Sequence, residues 1–454
     1  MIRAIAPEAT QLNYKAAEAD KKRKSPNTRI QSVDSTLTPS KRKYLTANVR
    51  DIHDNMAVCS WAVRRHLDYV SSFEFQPNTK DQGLNRELEE LMEWYSRPLN
   101  CDATYRHSLP ALVRMLEQRR TVDGDVFVIK LKTGHLQVIE SDRVRTPEGQ
   151  GFENLIHGVK VGKAGELRAI AVNRRNDRYG YELERMVRAG NVIHWGYFDR
   201  FDQVRGVSPL ASAVNQFRDV MEASEYALAR MKISQLFGLV FYRDSVDSFG
   251  DVEADGDSYN VDFGKSSGLV LDLEAGDRAE FLESESPHQE FQSFAETMTM
   301  GALKALDIPI SFFDESKVNY SSSRSAWIAY QKSTASKQRA LRDMLNRLTV
   351  WRLGLFIQDG YLTLPSGMTL GQLRWDWVTS GTPWVDPLKE VRGDILAIAA
   401  GLKTRAQVVR ERYGRDFREI ADQLAVEQDY MEQSGVSTSL NGLVEINPQE
   451  IGNE

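Results

Sequence analysis

Phe263-Gly264-Lys265-Ser266 is the local pattern in this 454-residue chain nearest to phosphate chemistry. A phosphate-binding loop needs Gly-x-x-x-x-Gly-Lys-Ser/Thr, because its first glycine lets successive backbone N–H groups turn toward the phosphates. The position five residues before Gly264 is Tyr259, so that nest cannot form, and Gly158–Lys163 fails on the same ground. The carboxylate pair Asp123/Asp125 lies at the edge of a predicted hairpin, where acids are structural more often than catalytic. The seven histidines (His53, His66, His107, His135, His157, His194, His288) show no metal-ligand spacing to one another or to Cys59 and Cys101. Two cysteines fit a reducing compartment and exclude a disulfide framework. The residues therefore predict no catalytic group, no metal and no cofactor.

Charge is unevenly placed. The net value is −6, yet residues 1–50 carry a balance of +7 and residues 244–285 one of −11. Such segregation suits an anion-facing arm and an acidic face, and equally a solvated basic tail and a solvated acidic loop. A tight DNA binder would be basic overall, since affinity scales with the phosphates neutralised. No run approaches the roughly 20 apolar residues that span a bilayer, and the basic cluster Lys21-Lys22-Arg23-Lys24 follows Met1 with no apolar leader between. Assembly in a cytoplasm, away from membranes, is expected.

A chain of this length needs two or three packed regions. Residues 1–45 are polar and basic and read as an arm. Helical periodicity predicts helices over 46–72, 84–95 and 109–120. Alternation then predicts one hairpin through Val126–Leu131, Thr133-Gly134 and 135–144, and a second through Ile156–Val161 and Leu167–Val172. Pro209 after Ser208 is a helix-opening arrangement with Ser208 as N-cap, and apolar spacing carries that helix to about 234. Short strands are expected near 238–242 and 268–273, and a helix over 289–306 that stops before Pro309. A long helix over 322–357 would span roughly 50 Å, with Trp327 and Trp351 in its apolar stripe and its basic residues on a solvated or ion-paired face. Strands at 361–364 and 373–378 and helices at 386–400, 404–413 and 416–433 complete an α+β chain.

Arg205-Gly206-Val207-Ser208-Pro209-Leu210, opening a long helix, resembles the portal proteins of tailed phages, in their lambda-like branch. Further blocks agree in order: DGDVFVIKL and LQVIESDRVRTP within 123–147, His157-Gly158-Val159, Val318 to Arg324, and Trp384-Val385-Asp386-Pro387. Together they span about 46–430. The family usually has Asn-Gly-Val where this chain has His157-Gly158-Val159, and the acidic insertion at 244–264 departs from it as well.

The resemblance implies a portal fold of wing, stem, clip and crown, assembled as a homo-oligomeric ring, usually a dodecamer, at one capsid vertex of the virion. DNA would pass through it during packaging and ejection. It maps a basic arm to 1–45, the wing to 46–207, stem helices to 208–235 and 287–308, and an acidic clip to 236–286. A tunnel loop would follow at 309–322, then a long helix and wing at 323–392, crown-like helices at 393–434 and a tail at 435–454. The clip, with Asp244, Asp247, Asp251, Glu253, Asp255 and Asp257, would dock terminase and head–tail connectors, and other faces would meet the major capsid protein. Lys317, Asn319, Tyr320 and Arg324 would supply sequence-independent contacts to double-stranded DNA. The stretch 319–322 reads equally well as a helix cap, with Tyr320 packed on Trp327. Arg205, Gly206, Ser208, Pro209, Trp384, Asp386 and Pro387 would serve the framework. A head–tail adaptor or minor capsid ring protein is the alternative; it would lack paired stem helices around an inserted module.

Overall fold

The structure is a computed structural model, and it describes residues 30–149, 151–176, 180–236, 239–243, 277–281, 289–314, 320–379, 381 and 387–434. Its helices are α1 (Val33–Thr36), α2 (Pro39–Asn55), α3 (Ala57–Val70), α4 (Gln82–Ser96), α5 (Pro98–Cys101), α6 (Leu109–Asp123), α7 (Val214–Leu236), α8 (Gln289–Leu303), α9 (Tyr320–Gln358), α10 (Pro387–Ala399), α11 (Arg405–Tyr413) and α12 (Phe417–Gln433). Its strands are β1 (Phe73–Pro77), β2 (Asp125–Lys130), β3 (Leu136–Glu140), β4 (Leu155–Ile156), β5 (Val159–Val161), β6 (Leu167–Arg175), β7 (Tyr181–Arg188), β8 (Val192–Gly196), β9 (Leu239–Arg243), β10 (Asp277–Phe281) and β11 (Trp375–Thr379). They form two compact units: 1–47 with 90–208 and 355–361, and 48–89 with 209–354 and 362–454.

The first unit is built on two small antiparallel sheets, β3-β2-β8 and β4-β5-β6-β7. β2 is apolar at four consecutive positions (Val126, Phe127, Val128, Ile129) because it is the central strand and is covered on both faces. Phe127, Ile139, Ile170 and Val172 are fully buried in one cluster that joins the sheets, each contributing roughly 1.5–3 kcal/mol by leaving water. Helix α6 precedes β2. Ser108 caps it and Pro110 lies in its first turn, where a missing N–H costs nothing. The hairpin expected at Thr133-Gly134 forms, with Gly134 at φ 86°. β7 and β8 fall outside the expected elements; β7 is exposed at almost every position and so shows no apolar alternation.

The second unit joins residues far apart in sequence. β1 pairs antiparallel with β11, Phe73 opposite Thr379 and Pro77 opposite Trp375. The strand expected at 361–364 is absent: those residues have no ladder partner and follow the turn that ends α9. The single helix expected over 46–72 is two helices that begin at Pro39, and Met56, at φ −113° and ψ 110°, breaks them. Pro39 fits the start of α2 because its missing N–H has no intrahelical partner there in any case. The arm expected over 1–45 is accordingly helical at α1 and from Pro39 onward. α7 follows a short 3-10 turn at Pro209–Ser212. It packs against α8 with Gly301 near the end of α8 meeting Gln216 near the start of α7, so the two run antiparallel. Beyond α7 the chain enters β9, which pairs with β10. The strand expected near 268–273 and the tail at 435–454 lie outside the described residues.

Candidate functional site: a buried charge node, paired helices and the flanks of residues 315–319

Asp125 opens β2 and is fully buried. Three donors reach each carboxylate oxygen. Oδ1 accepts from Arg205 Nη2 at 2.9 Å, Ser141 Oγ at 2.5 Å and Arg42 Nη2 at 3.2 Å. Oδ2 accepts from Arg205 Nε at 2.6 Å, the Gly206 backbone N–H at 2.9 Å and His194 Nε2 at 3.1 Å. Arg205 spends its remaining donors on the carbonyls of Val144, His157 and Ser141. Burial by itself would raise the Asp125 pKa, but the Arg205 and Arg42 guanidiniums and the bonds from Arg205 and His194 hold it well below the usual carboxylate range. Burial, with Arg205 alongside, pulls Arg42 down to about 10, still charged at neutral pH. Burial also lowers the His194 pKa against the pull of Asp125, so His194 is a neutral donor through Nε2. A carboxylate saturated in this way has no lone pair left for general-base work. The node is an organiser.

The backbone explains the glycines around it. Gly124 has φ 94°, and a Cβ there would lie 2.7 Å from Ser208 N and 2.8 Å from Gly206 O. A Cβ on Gly206 would lie 2.2 Å from Gly124 O. The blocks Asp123-Gly124-Asp125 and Arg205-Gly206 thus touch backbone to backbone, and Ser208 Oγ donates to Thr121 O at 2.6 Å. Beside them Glu117, also fully buried, accepts from Arg120 at 3.1 Å, Trp195 Nε1 at 3.2 Å and the Tyr197 hydroxyl at 3.2 Å. Burial and that carboxylate push the Tyr197 pKa upward. His157 takes φ 49° ahead of Gly158 at φ 85°. Asn and His are both enriched in this left-handed region, so His157 suits the turn.

Of the framework residues, Arg205, Gly206 and Ser208 meet at this node, Pro209 begins the turn before α7, and Pro387 is the exposed first residue of α10. Trp384 and Asp386 lie outside the described residues. So do Asp244, Asp247, Asp251, Glu253, Asp255 and Asp257, and Lys317 and Asn319. Tyr320 is the first residue of α9. Arg324 ion-pairs with Glu390 of α10 and lies 5.9 Å over the Trp327 ring. Glu390 is also held by Arg412 at 2.9 Å, and Arg412 reaches Asp394 at 3.1 Å. On the other side of 315–319, Phe312 and Tyr69 meet Tyr330 edge-on, each with ring centroids 5.2 Å apart, and Phe313 meets Trp61 at 5.8 Å. Asp307, at φ 63°, accepts from Ser333 at 2.6 Å and Lys337 at 2.8 Å. Both approaches to the segment are therefore fastened to named partners.

On the paired helices, Met221, Tyr226 and Leu228 of α7 and Phe294 and Met300 of α8 are exposed. Among the described residues no helix is long and apolar enough to cross a membrane, and no group of three or more His, Cys, Asp and Glu is placed to hold a metal.

The first unit thus holds a buried arginine–aspartate organiser, and the second a pair of antiparallel helices. The family model for phage portal proteins of the lambda family matches residues 20–338, and the chain belongs to that family. A chain from the neck of an empty GTA particle computed with C6 symmetry is similar in fold, at TM-score 0.51 and 15% identity over 80% of this chain and 92% of that chain. A chain from the virion of a native gene transfer agent particle gives 0.49 at 15% identity, over 81% and 92%. No curated protein matches the chain.

Proposed function

We propose that this protein assembles as the homo-oligomeric portal ring at one capsid vertex, through which double-stranded DNA is packaged and ejected. Membership of the lambda portal family is the observation that carries this reading. The paired helices α7 and α8 would be the stem. Their exposed Met221, Tyr226, Leu228, Phe294 and Met300 offer apolar area that a ring closed by identical contacts would cover. The acidic region 236–286 would be the clip that docks terminase and connectors, and 309–322 the tunnel loop, with Lys317, Asn319 and Tyr320 toward the duplex. Arg324, already paired to Glu390, would position that loop rather than touch phosphate. Weak overall acidity suits a conduit, because accumulated phosphate contacts would grip DNA instead of letting it pass. ATP hydrolysis would belong to a separate terminase.

Electron microscopy of the purified protein, with its particle mass measured in parallel, tests this directly. Rings with a central hole and a mass near twelve chains are expected. Monomeric particles at micromolar concentration would refute the proposal.

A further inference from the structure

The three C-terminal helices of the second unit bury almost nothing of their own. Of the residues in α10, α11 and α12, only Asp394 is buried. Helices of 13, 9 and 17 residues take most of their stability from packing rather than from propensity. Their charges are sorted between faces in a way that says what they pack against.

With about 3.6 residues per turn, α10 sets Leu388, Arg392, Ile395, Leu396 and Ala399 on one face, and all five are exposed. Its two acids lie on the opposite face and are engaged within the chain. Glu390 pairs with Arg324 and Arg412, and Asp394 pairs with Arg412 at 3.1 Å and Lys403 at 3.5 Å. The outward face of α10 is therefore apolar and cationic, with exposed Lys389 at its edge.

Helix α12 has the complementary arrangement. Phe417, Ile420 and Ala421 share one face and are half-buried on their own chain. The opposite face carries Glu419, Asp422, Val426, Asp429 and Tyr430, all exposed, Val426 by 68% and Tyr430 by 71%. From Glu419 to Gln433 the chain has five acids and no lysine or arginine. This outward face is apolar and anionic.

We infer that the outward face of α12 in one subunit seats on the outward face of α10 in the next. Val426 and Tyr430 would lie against Leu388 and Leu396, with Asp422 and Asp429 on either side of Arg392. This contact lies within the ring proposed above and rests on that reading. The spacing agrees on both sides. Leu388, Arg392 and Leu396 stand four residues apart, as do Asp422, Val426 and Tyr430, so each helix offers an i, i+4 ridge to the groove of the other. Charge excludes the symmetric alternatives. Pairing α12 with α12 would set acids against acids, and pairing α10 with α10 would set Arg392 against Arg392; like charges face to face are costly. Two different faces, both open on every subunit, make a head-to-tail contact that repeats around a closed ring.

The test uses two full-length variants, one with Arg392→Glu and the other with Asp422→Arg and Asp429→Arg. All three positions are exposed, so far-ultraviolet circular dichroism should not change. Each variant alone sets like charges across the contact. Each should raise the protein concentration at which half the chains are in rings about tenfold, measured at low ionic strength where exposed charges are least screened. An equal mixture of the two should recover wild-type assembly. In an alternating ring every junction joins opposite charges again, and an even number of subunits closes it. A role confined within one chain cannot produce recovery on mixing. Unchanged assembly of the separate variants would overturn the inference, as would a mixture no better than its components. Recovery only with all three substitutions in one chain would place α12 on its own α10 and overturn it too. Wild-type rings indifferent to these charges would refute this contact alone, whereas wild-type protein without rings would refute the ring itself.

Discussion

Replacing Asp125 with Asn should remove more stability from the first unit than any other single uncharged, isosteric change. The carboxylate is fully buried, receives six hydrogen bonds and neutralises Arg205 and Arg42. Asn keeps the shape but leaves two buried guanidiniums without a counter-charge and turns one acceptor into a donor that faces them. Breaking a buried pair from one side costs about 3–5 kcal/mol, against total stabilities of roughly 5–15 kcal/mol. With a urea dependence of about 2 kcal/mol per molar, the unfolding midpoint should fall by roughly 1.5–2.5 M. Trp195, whose ring lies 3.9 Å beneath Arg120 in the neighbouring cluster, is the natural fluorescence probe. The milder Arg42→Met leaves Asp125 paired to Arg205 and should lose only about 1–3 kcal/mol. The pH dependence has a definite sign. The folded pKa of Asp125 is depressed, so its contribution is present above the unfolded value near 4 and is lost as pH falls through the folded value. Wild type and Asp125→Asn should therefore converge in acid. A midpoint within about 0.5 M of wild type at neutral pH would show that the node is dispensable and the reasoning wrong.

Gly206→Ala should be as damaging as a much larger change elsewhere, because its methyl would sit 2.2 Å from Gly124 O; thermal unfolding checks it, and a shift below about 2 °C would mean the two backbones separate freely. The Cys59 and Cys101 thiols, pushed by burial to about 12, should resist a thiol reagent in the native protein and react together in denaturant. Deleting 315–319 alone, which spares Phe312, Phe313 and Arg324, should leave rings intact but impair DNA packaging or retention. Loss of rings would place this segment in assembly instead. Glu390→Gln should loosen the start of α9 by removing the shared partner of Arg324 and Arg412, read as faster amide exchange in its first turns and unchanged exchange near Leu345.

Local pattern carries much of the fold. The β2–β3 hairpin is legible because alternation and Thr133-Gly134 coincide, and α9 because apolar spacing persists from Trp327 to Leu355. What escapes the sequence depends on remote partners. β1 offers only five residues, one of them Pro77, and its ladder lies about 300 residues away in β11. Met56 interrupts a helical pattern whose apolar spacing continues on either side of it. Asp125 reads locally as a hairpin-edge acid because the arginines that define it come from positions 42 and 205. Arg205 stands out through its motif, yet nothing local marks it as the partner of Asp125. The recurrence of Asp-Gly-Asp and Arg-Gly as two tight, glycine-bearing blocks is the available signal, since glycine is the residue that lets one backbone approach another closely.

The β1–β11 ladder also sets a schedule for biosynthesis. At the usual roughly 5–20 residues per second, some 15–60 seconds separate the emergence of Phe73 from that of Thr379. Throughout that interval the edge of β1 lacks its native neighbour and stays open to mispairing with other nascent chains. A chaperone that shields the early strand until β11 emerges would therefore raise the yield of correctly paired chains.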